Sequence, residues 1–261
     1  MKKSNTTVII LFISLFFSLS SCTRLYYTPL SHNIPNLEEK GDIYVAAVSA
    51  DIGNEFHSAI AVNEHLGITA SYANYYDSEH SEGFSGSYFS TPSSFNEGGG
   101  KIIELGGGYF DTLKHNFSYA IYGTYGFGDM YNRFEHLGDI RADLSTISIQ
   151  PNLTYRRKNW EFTYAMKYTN LGYSNPSGDL TYDIDEQGNT LYEAKELEKQ
   201  PNIDLFQQSI TIRTGGKKLK AHVQASFGNG LNNSWLNDRI STGTVSIGAS
   251  YKFNLKNISN K

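Results

Sequence analysis

The stretch STISIQPNLTYR, from Ser145 to Arg156, alternates between apolar and polar side chains. The apolar positions are Ile147, Ile149, Leu153 and Tyr155, and the polar positions are Thr146, Ser148, Gln150, Asn152, Thr154 and Arg156. A period of two predicts a β-strand with one apolar and one polar face. Its length of about ten residues is what a tilted strand needs to cross a bilayer.

The same alternation recurs along the chain and predicts ten strands. They lie at 42–50, 56–62, 66–76, 102–110, 117–127, 144–155, 160–170, 205–214, 219–227 and 242–253. After a brief first turn at Gly53 and Asn54, short connections alternate with long ones. The long ones are 77–100, 128–143, 171–204 and 228–241. Tight turns at one rim and long loops at the other are typical of an up-and-down membrane barrel.

The apolar faces of these strands carry no charge. An Arg or Lys at the bilayer midplane costs about 2–4 kcal/mol, so an uncharged face suits contact with lipid. Aromatic residues gather near both ends of the strands, as they do at the two interfaces of a membrane. The alternative is a soluble barrel with its apolar face inward, which would have to pack these bulky aromatics inside.

We therefore predict an all-β fold, an up-and-down transmembrane antiparallel β-barrel of about ten strands, with eight strands as the alternative. An even strand count places both termini on one side of the membrane, which we expect to be the periplasmic side.

The first residues have the features of an export signal. Lys2 and Lys3 precede an apolar run from Val8 to Leu19, which is too short for a comfortable membrane helix. The run ends at Leu19-Ser20-Ser21-Cys22, which looks like a bacterial lipobox, whose cysteine is lipidated. The alternative is an ordinary signal peptide followed by an incidental cysteine.

We accordingly expect a signal peptide at 1–21, a lipidated tether at 22–40, the barrel at 41–254 and a periplasmic tail at 255–261. Pro29 and Pro35 oppose helix and central strand in the tether. Cys22 is the only cysteine, so a disulfide within one chain is excluded.

The polar faces predict the composition of the barrel interior. A narrow lumen requires its charges to pair or to be hydrated, so a structural network explains these residues. A thin polar pore is the alternative. The predicted inward residues are Glu104, Gln150, Asn152, Arg156, Glu161, Lys167, Gln207, Arg213, Lys220, His222, Gln224 and Lys252.

Catalytic and metal motifs are weak. The seven histidines show no metal-ligand spacing on a common element. His80 and His136 lie in predicted outer loops near acidic residues, so an enzyme at the outer rim is one hypothesis. We expect no catalytic residues, no metal, no nucleic-acid partner and no cofactor apart from a covalent lipid such as palmitate on Cys22.

The chain resembles the small outer-membrane β-barrel lipoproteins of Bacteroidota. The resemblance is carried by the lipobox, by Tyr27-Thr28-Pro29, Asn33-Ile34-Pro35 and Glu39-Lys40-Gly41-Asp42, and by the terminal Tyr251-Lys252-Phe253. An aromatic residue near the end of the last strand resembles the signal read by barrel-insertion machinery, although eight residues follow Phe253. The resemblance covers most of the chain but is specific only to architecture.

These observations predict a lipoprotein of the bacterial outer membrane, anchored through Cys22. We expect it to contact outer-membrane lipids and to act as a non-enzymatic structural or accessory subunit of an envelope complex. A narrow channel for small solutes is the second hypothesis, and an enzyme at the outer rim is the third.

Overall fold

A computed structural model describes residues 26–50, 53–81, 94–135, 137–184, 190–232, 240 and 243–256. Within these ranges the chain forms twelve strands and one short helix, α1 (Glu193–Lys199). The strands are β1 (Asp42–Ala50), β2 (Gly53–Ala61), β3 (Leu66–Ser81), β4 (Ser94–Thr112), β5 (Phe117–Phe134), β6 (Gly138–Arg157), β7 (Trp160–Ser177), β8 (Thr181–Ile184), β9 (Thr190–Tyr192), β10 (Asn202–Gly215), β11 (Leu219–Gly230) and β12 (Gly243–Asn254).

Ten of the described strands close into one antiparallel barrel. Its order is β1-β12-β11-β10-β7-β6-β5-β4-β3-β2, and β2 pairs with β1 to complete the ring. Strands β8 and β9 form a separate two-stranded sheet. The predicted ten-stranded up-and-down barrel is thus confirmed, and closure removes the unpaired edges that an open sheet would expose.

The two ends of the barrel differ, and we call them the turn rim and the loop rim. The turn rim carries Asp42, Asn254 and the connections 62–65, 113–116, 158–159 and 216–218. The loop rim carries the connections 51–52, 82–93, 135–137, 178–201 and 231–242.

The alternation of faces is borne out along β6. Its outward Ile147 is 63% exposed, whereas the neighbouring Thr146 is fully buried. Large apolar side chains point outward around the wall, as on β5 and β7. These exposed residues include Phe117, Ile121, Tyr125, Phe127, Trp160, Phe162, Tyr164 and Tyr168.

The barrel wall is taller on one side than we predicted. Strands β3 to β7 have 16–20 residues, and the β5–β6 pairing continues to Phe134 and Gly138. Much of the predicted loops 77–100 and 128–143 is therefore strand. In these extensions the pattern is reversed: outward positions carry charges, such as the ion pair of Lys101 and Asp129 at 3.3 Å, and apolar Met130 and Ile140 point inward.

The connection from β7 to β10 folds back over the barrel. It contains β8, β9 and α1, of which α1 was not predicted. Strands β8 and β9 pair antiparallel, with Thr181 opposite Tyr192 and Ile184 opposite Thr190. Leu180 and Leu197 of this connection are buried in the same apolar cluster as Leu171 and Ile203 of the wall, so the connection covers the lumen at the loop rim.

Candidate functional site: a chain segment inside the lumen

Residues 26–40 run through the interior of the barrel, and we call them the lumen segment. The part of the predicted tether that the structure describes is therefore packed inside the wall. Pro29 and Pro35 cannot donate backbone hydrogen bonds, which keeps the segment out of the sheet. Its most deeply buried side chains are Tyr26, Tyr27, Leu30, Ser31, His32, Ile34 and Leu37.

The segment runs from the loop rim to the turn rim. Tyr27 forms a parallel bridge with Ile240, which lies in the loop-rim connection between β11 and β12. Leu37 packs with Phe110 and Ala61 near the turn rim. The described part of the chain thus begins at the loop rim, whereas β12 ends at the turn rim. The expected placement of both termini on one side concerns residues 1–25 and 257–261 as well, which lie outside the described residues.

Two glycines allow the segment to follow this path, one by forming a turn and one by leaving space for a side chain. Gly41 has a φ of +87°, a region that favours glycine, and its N–H donates to the carbonyl of Ala61 at 2.9 Å. This turn lets the chain leave the lumen and enter β1. A Cβ at Gly67 on β3 would lie 2.7 Å from Leu37 Cδ1, so the bare backbone there accommodates Leu37.

The loop-rim half of the segment is held by apolar packing. Tyr26, Tyr27 and Leu30 join one buried cluster with side chains of the wall and of the β7–β10 connection. Its other members include Ile102, Met130, Ile140, Leu144, Leu171, Tyr173, Leu180, Leu197, Ile203 and Leu205. This cluster closes the lumen at its loop-rim end.

Polar contacts begin at the middle of the segment. The Ser31 N–H donates to both carboxylate oxygens of Glu55 on β2, at 3.0 and 3.1 Å, and the Ser31 hydroxyl also contacts Glu55. Nε2 of His57 lies 2.9 Å from both the Ser31 hydroxyl and Glu55 Oε2. Nδ1 of His57 lies 2.9 Å from the Ser71 hydroxyl on β3. All four residues are buried.

His32, the next residue of the segment, binds β10 and β11, which lie on the other side of the β1–β12 pair from β2. The N–H of His32 donates to Gln224 Oε1 on β11 at 2.7 Å, and Gln224 Nε2 donates back to the His32 carbonyl at 3.2 Å. Nδ1 of His32 lies 2.6 Å from the Ser209 hydroxyl on β10. The segment therefore links β2 and β3 to β10 and β11 across the lumen.

Two further wall residues bind the segment's backbone. Gln150 Nε2 donates to the Asn33 carbonyl at 2.8 Å, and Arg213 donates to the Ile34 carbonyl at 2.6 Å. Backbone carbonyls of an irregular buried chain must find donors, and these wall side chains supply them.

A charged cluster closes the turn-rim half. Glu161 is surrounded by Lys220 at 2.6 Å, Arg156 at 3.4 Å and Arg213 at 3.9 Å. Asn36 of the segment donates to Glu161 at 2.7 Å and accepts from Arg156. The cavity left here between segment and wall is about 10 Å³, which is room for one water molecule at most.

One ion pair joins two strands of the wall without the segment. Nζ of Lys167 on β7 lies 2.9 Å from both carboxylate oxygens of Glu104 on β4, and both side chains are almost fully buried. Because removing either partner would strand a buried charge, this pair constrains the shape of the interior.

Nine of the twelve predicted inward residues are buried, and three lie partly exposed near the turn rim. The buried ones are Glu104, Gln150, Asn152, Glu161, Lys167, Gln207, Arg213, His222 and Gln224, and the partly exposed ones are Arg156, Lys220 and Lys252. Sequence reasoning missed Glu55, His57, Ser71 and Ser209. The alternation of β2 places Glu55 and His57 on the same face as Ala59 and Ala61, which was the available signal.

The lumen segment was missed for a different reason. Its apolar residues Tyr27, Leu30, Ile34 and Leu37 lie three or four residues apart, but Pro29 and Pro35 oppose a helix there. The spacing was therefore not taken as the sign of a buried element. Cys22 and His136 lie outside the described residues. His80 belongs to β3, not to a loop, and its side chain is not described.

The serine, histidine and glutamate contacts have the residue types of a catalytic set. Their arrangement opposes that function, because Nε2 of His57 faces both Ser31 and Glu55 instead of separating them. A substrate would also have to displace the segment to reach Ser71. We interpret this cluster as the central anchor of the segment.

Other chemistry has little support among the described residues. No group of three or more His, Cys, Asp or Glu side chains there could hold a metal ion. An open groove of about 990 Å³ lies at the loop rim and is lined by charged residues of β4 to β7, including Glu97, Asp129, Arg133, Asp139 and Arg141. Over the part of the chain that is described, no helix is long and apolar enough to span a membrane.

Comparison with known proteins gives only distant likenesses. No family model matches the chain, and no curated protein matches it. The solved structures that it resembles include the outer membrane protease OmpT from Escherichia coli, with a TM-score of 0.47 and 8% identity over 81% of this chain and 96% of that one. The translocator domain of the autotransporter NalP from Neisseria meningitidis gives 0.43 and 9% over 80% and 87%. A major outer membrane protein from Thermus thermophilus gives 0.38 and 11% over 81% and 98%.

Proposed function

We propose that this chain is an outer-membrane β-barrel lipoprotein whose lumen is closed by its own amino-terminal segment. We further propose that it acts as a non-enzymatic structural or accessory subunit of an envelope complex. The observation that carries the closed-lumen proposal is the path of residues 26–40 through the barrel.

The outer surface supports a membrane location. On β5 the outward side chains from Phe117 to Phe127 are uncharged, and the next outward residue is Asp129. Ten residue steps along a strand cover about 33 Å, or about 25 Å across a membrane when the strand is tilted by about 40°. This matches the apolar band of about 25 Å that outer-membrane barrels present to lipid.

The interior supports a closed barrel. The segment is fixed to the wall by Glu55, Gln150, Arg213 and Gln224, and its loop-rim end is covered by an apolar cluster. Among the described residues, apolar packing occupies the loop-rim end of the lumen, and the cavity beside the segment near the turn rim is about 10 Å³. A barrel closed in this way presents surfaces to partners, and its rims are where a partner could bind.

Planar-bilayer recording tests closure. We expect the purified protein to give no stepwise openings, and a variant lacking residues 26–36 to give them. Stable stepwise openings of the wild-type protein, recorded without any added solute or partner, would contradict the closed-lumen proposal.

Mild-detergent purification from native outer membranes tests the accessory role. We expect a partner protein in a fixed ratio to the barrel, and we expect the partner to be lost when the groove or loop at one rim is altered. A barrel that purifies alone, under conditions that preserve other envelope complexes, would contradict the accessory role.

A channel for small solutes is the second candidate. The observation that favours it is the polar wall behind the segment, where Glu104 with Lys167 and Glu161 with Arg213 would line a pore if the segment moved. Openings of the wild-type protein that require an added solute or partner would favour this candidate.

A further inference from the structure

We infer that the chain preceding Tyr26 emerges at the loop rim, opposite the carboxyl-terminal end, and therefore on the outer face of the membrane. Cys22 and any lipid that it carries would then lie at the cell surface. The exit at the loop rim goes beyond the proposed function. Two parts of the inference rest on the proposed function, namely the lipid on Cys22 and the orientation of the loop rim towards the outside of the cell.

The start of the described chain is fixed at the loop-rim end by several contacts. Tyr27 bridges to Ile240 in the β11–β12 connection. Tyr26 and Tyr27 also share a buried cluster with Leu180 and Leu197 of the β7–β10 connection. Both connections belong to the loop rim, so the amino-terminal side of Tyr26 faces that rim.

The length of the chain prevents Cys22 from returning to the turn rim. Cys22 and Tyr26 are four residue steps apart, which span about 14 Å at most when the chain is fully extended. The lumen segment from Tyr27 to Asn36 covers about 30 Å of extended chain between the two ends of the barrel. The return route is also blocked, because the segment itself occupies the lumen.

The barrel wall is low where the chain leaves. The β1–β2 hairpin ends at Ala50 and Gly53, and Gly53 pairs with Tyr75 on β3. Strand β3 continues beyond this level to Ser81. Ile240 lies three residues before β12, which pairs with β1, so the segment enters the lumen beside this low part of the wall. A lipid on Cys22 would have its shortest path to the membrane surface there.

Thiol labelling on whole cells tests the exit side with the full-length protein. Arg24→Cys reports the amino-terminal end, Leu231→Cys reports the loop rim and Lys256→Cys reports the turn rim. Leu231 and Lys256 are exposed in the structure. Wild-type protein serves as the control, because any labelling of it measures Cys22 that carries no lipid. A membrane-impermeant maleimide is applied before and after permeabilisation of the outer membrane.

We expect Arg24→Cys and Leu231→Cys to be labelled on intact cells, and Lys256→Cys to gain its labelling only on permeabilisation. If Arg24→Cys is labelled only under the conditions that label Lys256→Cys, the exit at the loop rim is overturned. If Arg24→Cys and Leu231→Cys are both labelled only after permeabilisation, the exit at the loop rim is supported and the location at the cell surface is contradicted. This outcome does not depend on the conductance measurement, which tests closure of the lumen. If Arg24→Cys is never labelled, antibody binding to an epitope inserted between Arg24 and Leu25 decides between the two rims.

Discussion

The carboxylate of Glu55 accepts the backbone N–H of Ser31 on both of its oxygens, at 3.0 and 3.1 Å. This contact joins β2 to a segment that precedes the first strand of the barrel. A buried carboxylate that binds backbone N–H groups is stabilised as an anion, and it holds the segment at one height in the lumen. Through this contact the lumen segment, which has no regular secondary structure, packs as part of the barrel core.

Glu55→Ala should destabilise the folded protein by about 1–3 kcal/mol, because it leaves the buried N–H of Ser31 without its acceptor. The measurement is urea unfolding in detergent micelles, followed by tryptophan fluorescence. Glu64→Ala in the exposed β2–β3 connection is the matched control and should change little. Equal effects of the two substitutions would show that Glu55 does not anchor the segment.

Ser31→Asp should loosen the segment, because a second carboxylate beside Glu55 repels it in a buried site. We expect intermittent stepwise openings in planar bilayers where the wild-type protein gives none. Asn63→Asp, an equally small change in an exposed turn, serves as the control. If Ser31→Asp folds normally and remains silent, the segment is held by its apolar end alone.

Lys167→Met should destabilise the barrel by about 3–5 kcal/mol, because the buried Glu104 loses its partner. The double variant Lys167→Met with Glu104→Gln should recover most of this loss, since no unpaired charge remains. The exposed pair of Lys101 and Asp129 is the control, and Lys101→Met should cost less than about 1 kcal/mol. A double-mutant cycle with no coupling between Lys167 and Glu104 would contradict the pairing.

Ile147→Arg tests the outward apolar face, where this side chain is 63% exposed. In a membrane barrel the change should cost about 2–4 kcal/mol and reduce the fraction that assembles into lipid vesicles. Asp143→Arg, on the same face of β6 but nearer the loop rim, is the control and should assemble normally. A soluble barrel would tolerate both substitutions equally.

The ten strands were predictable because successive side chains of a strand point to opposite faces. A strand with one apolar and one polar face therefore shows an apolar residue at every second position. On β6 this period even identified which residues point outward, as Ile147 shows. The strand ends were less predictable. Beyond Lys101 and Asp129 the outward face carries charges, and apolar side chains such as Met130 point inward instead. The apolar residues thus change face, although the hydrogen-bonded pairing continues.

The interior was predictable only on its wall side. The alternation placed Glu104, Gln150 and Lys167 inward without saying what they contact. Lys167 pairs with Glu104 on a strand that is not its neighbour in the sheet, whereas Gln150 binds the carbonyl of Asn33. Partners so far apart in sequence are brought together by closure of the ring, and no local pattern records that.

The sequence by itself determined the closed antiparallel barrel and the chemical character of its two surfaces, because both follow from a local period of two repeated over many strands. Only the tertiary structure decided that residues 26–40 fill the lumen and that their first residue lies at the loop rim. The segment forms neither helix nor strand, so the spacing of its apolar residues does not say where it packs. Its place depends on donors and acceptors such as Glu55, Gln224 and Arg213, which come together only when the barrel closes.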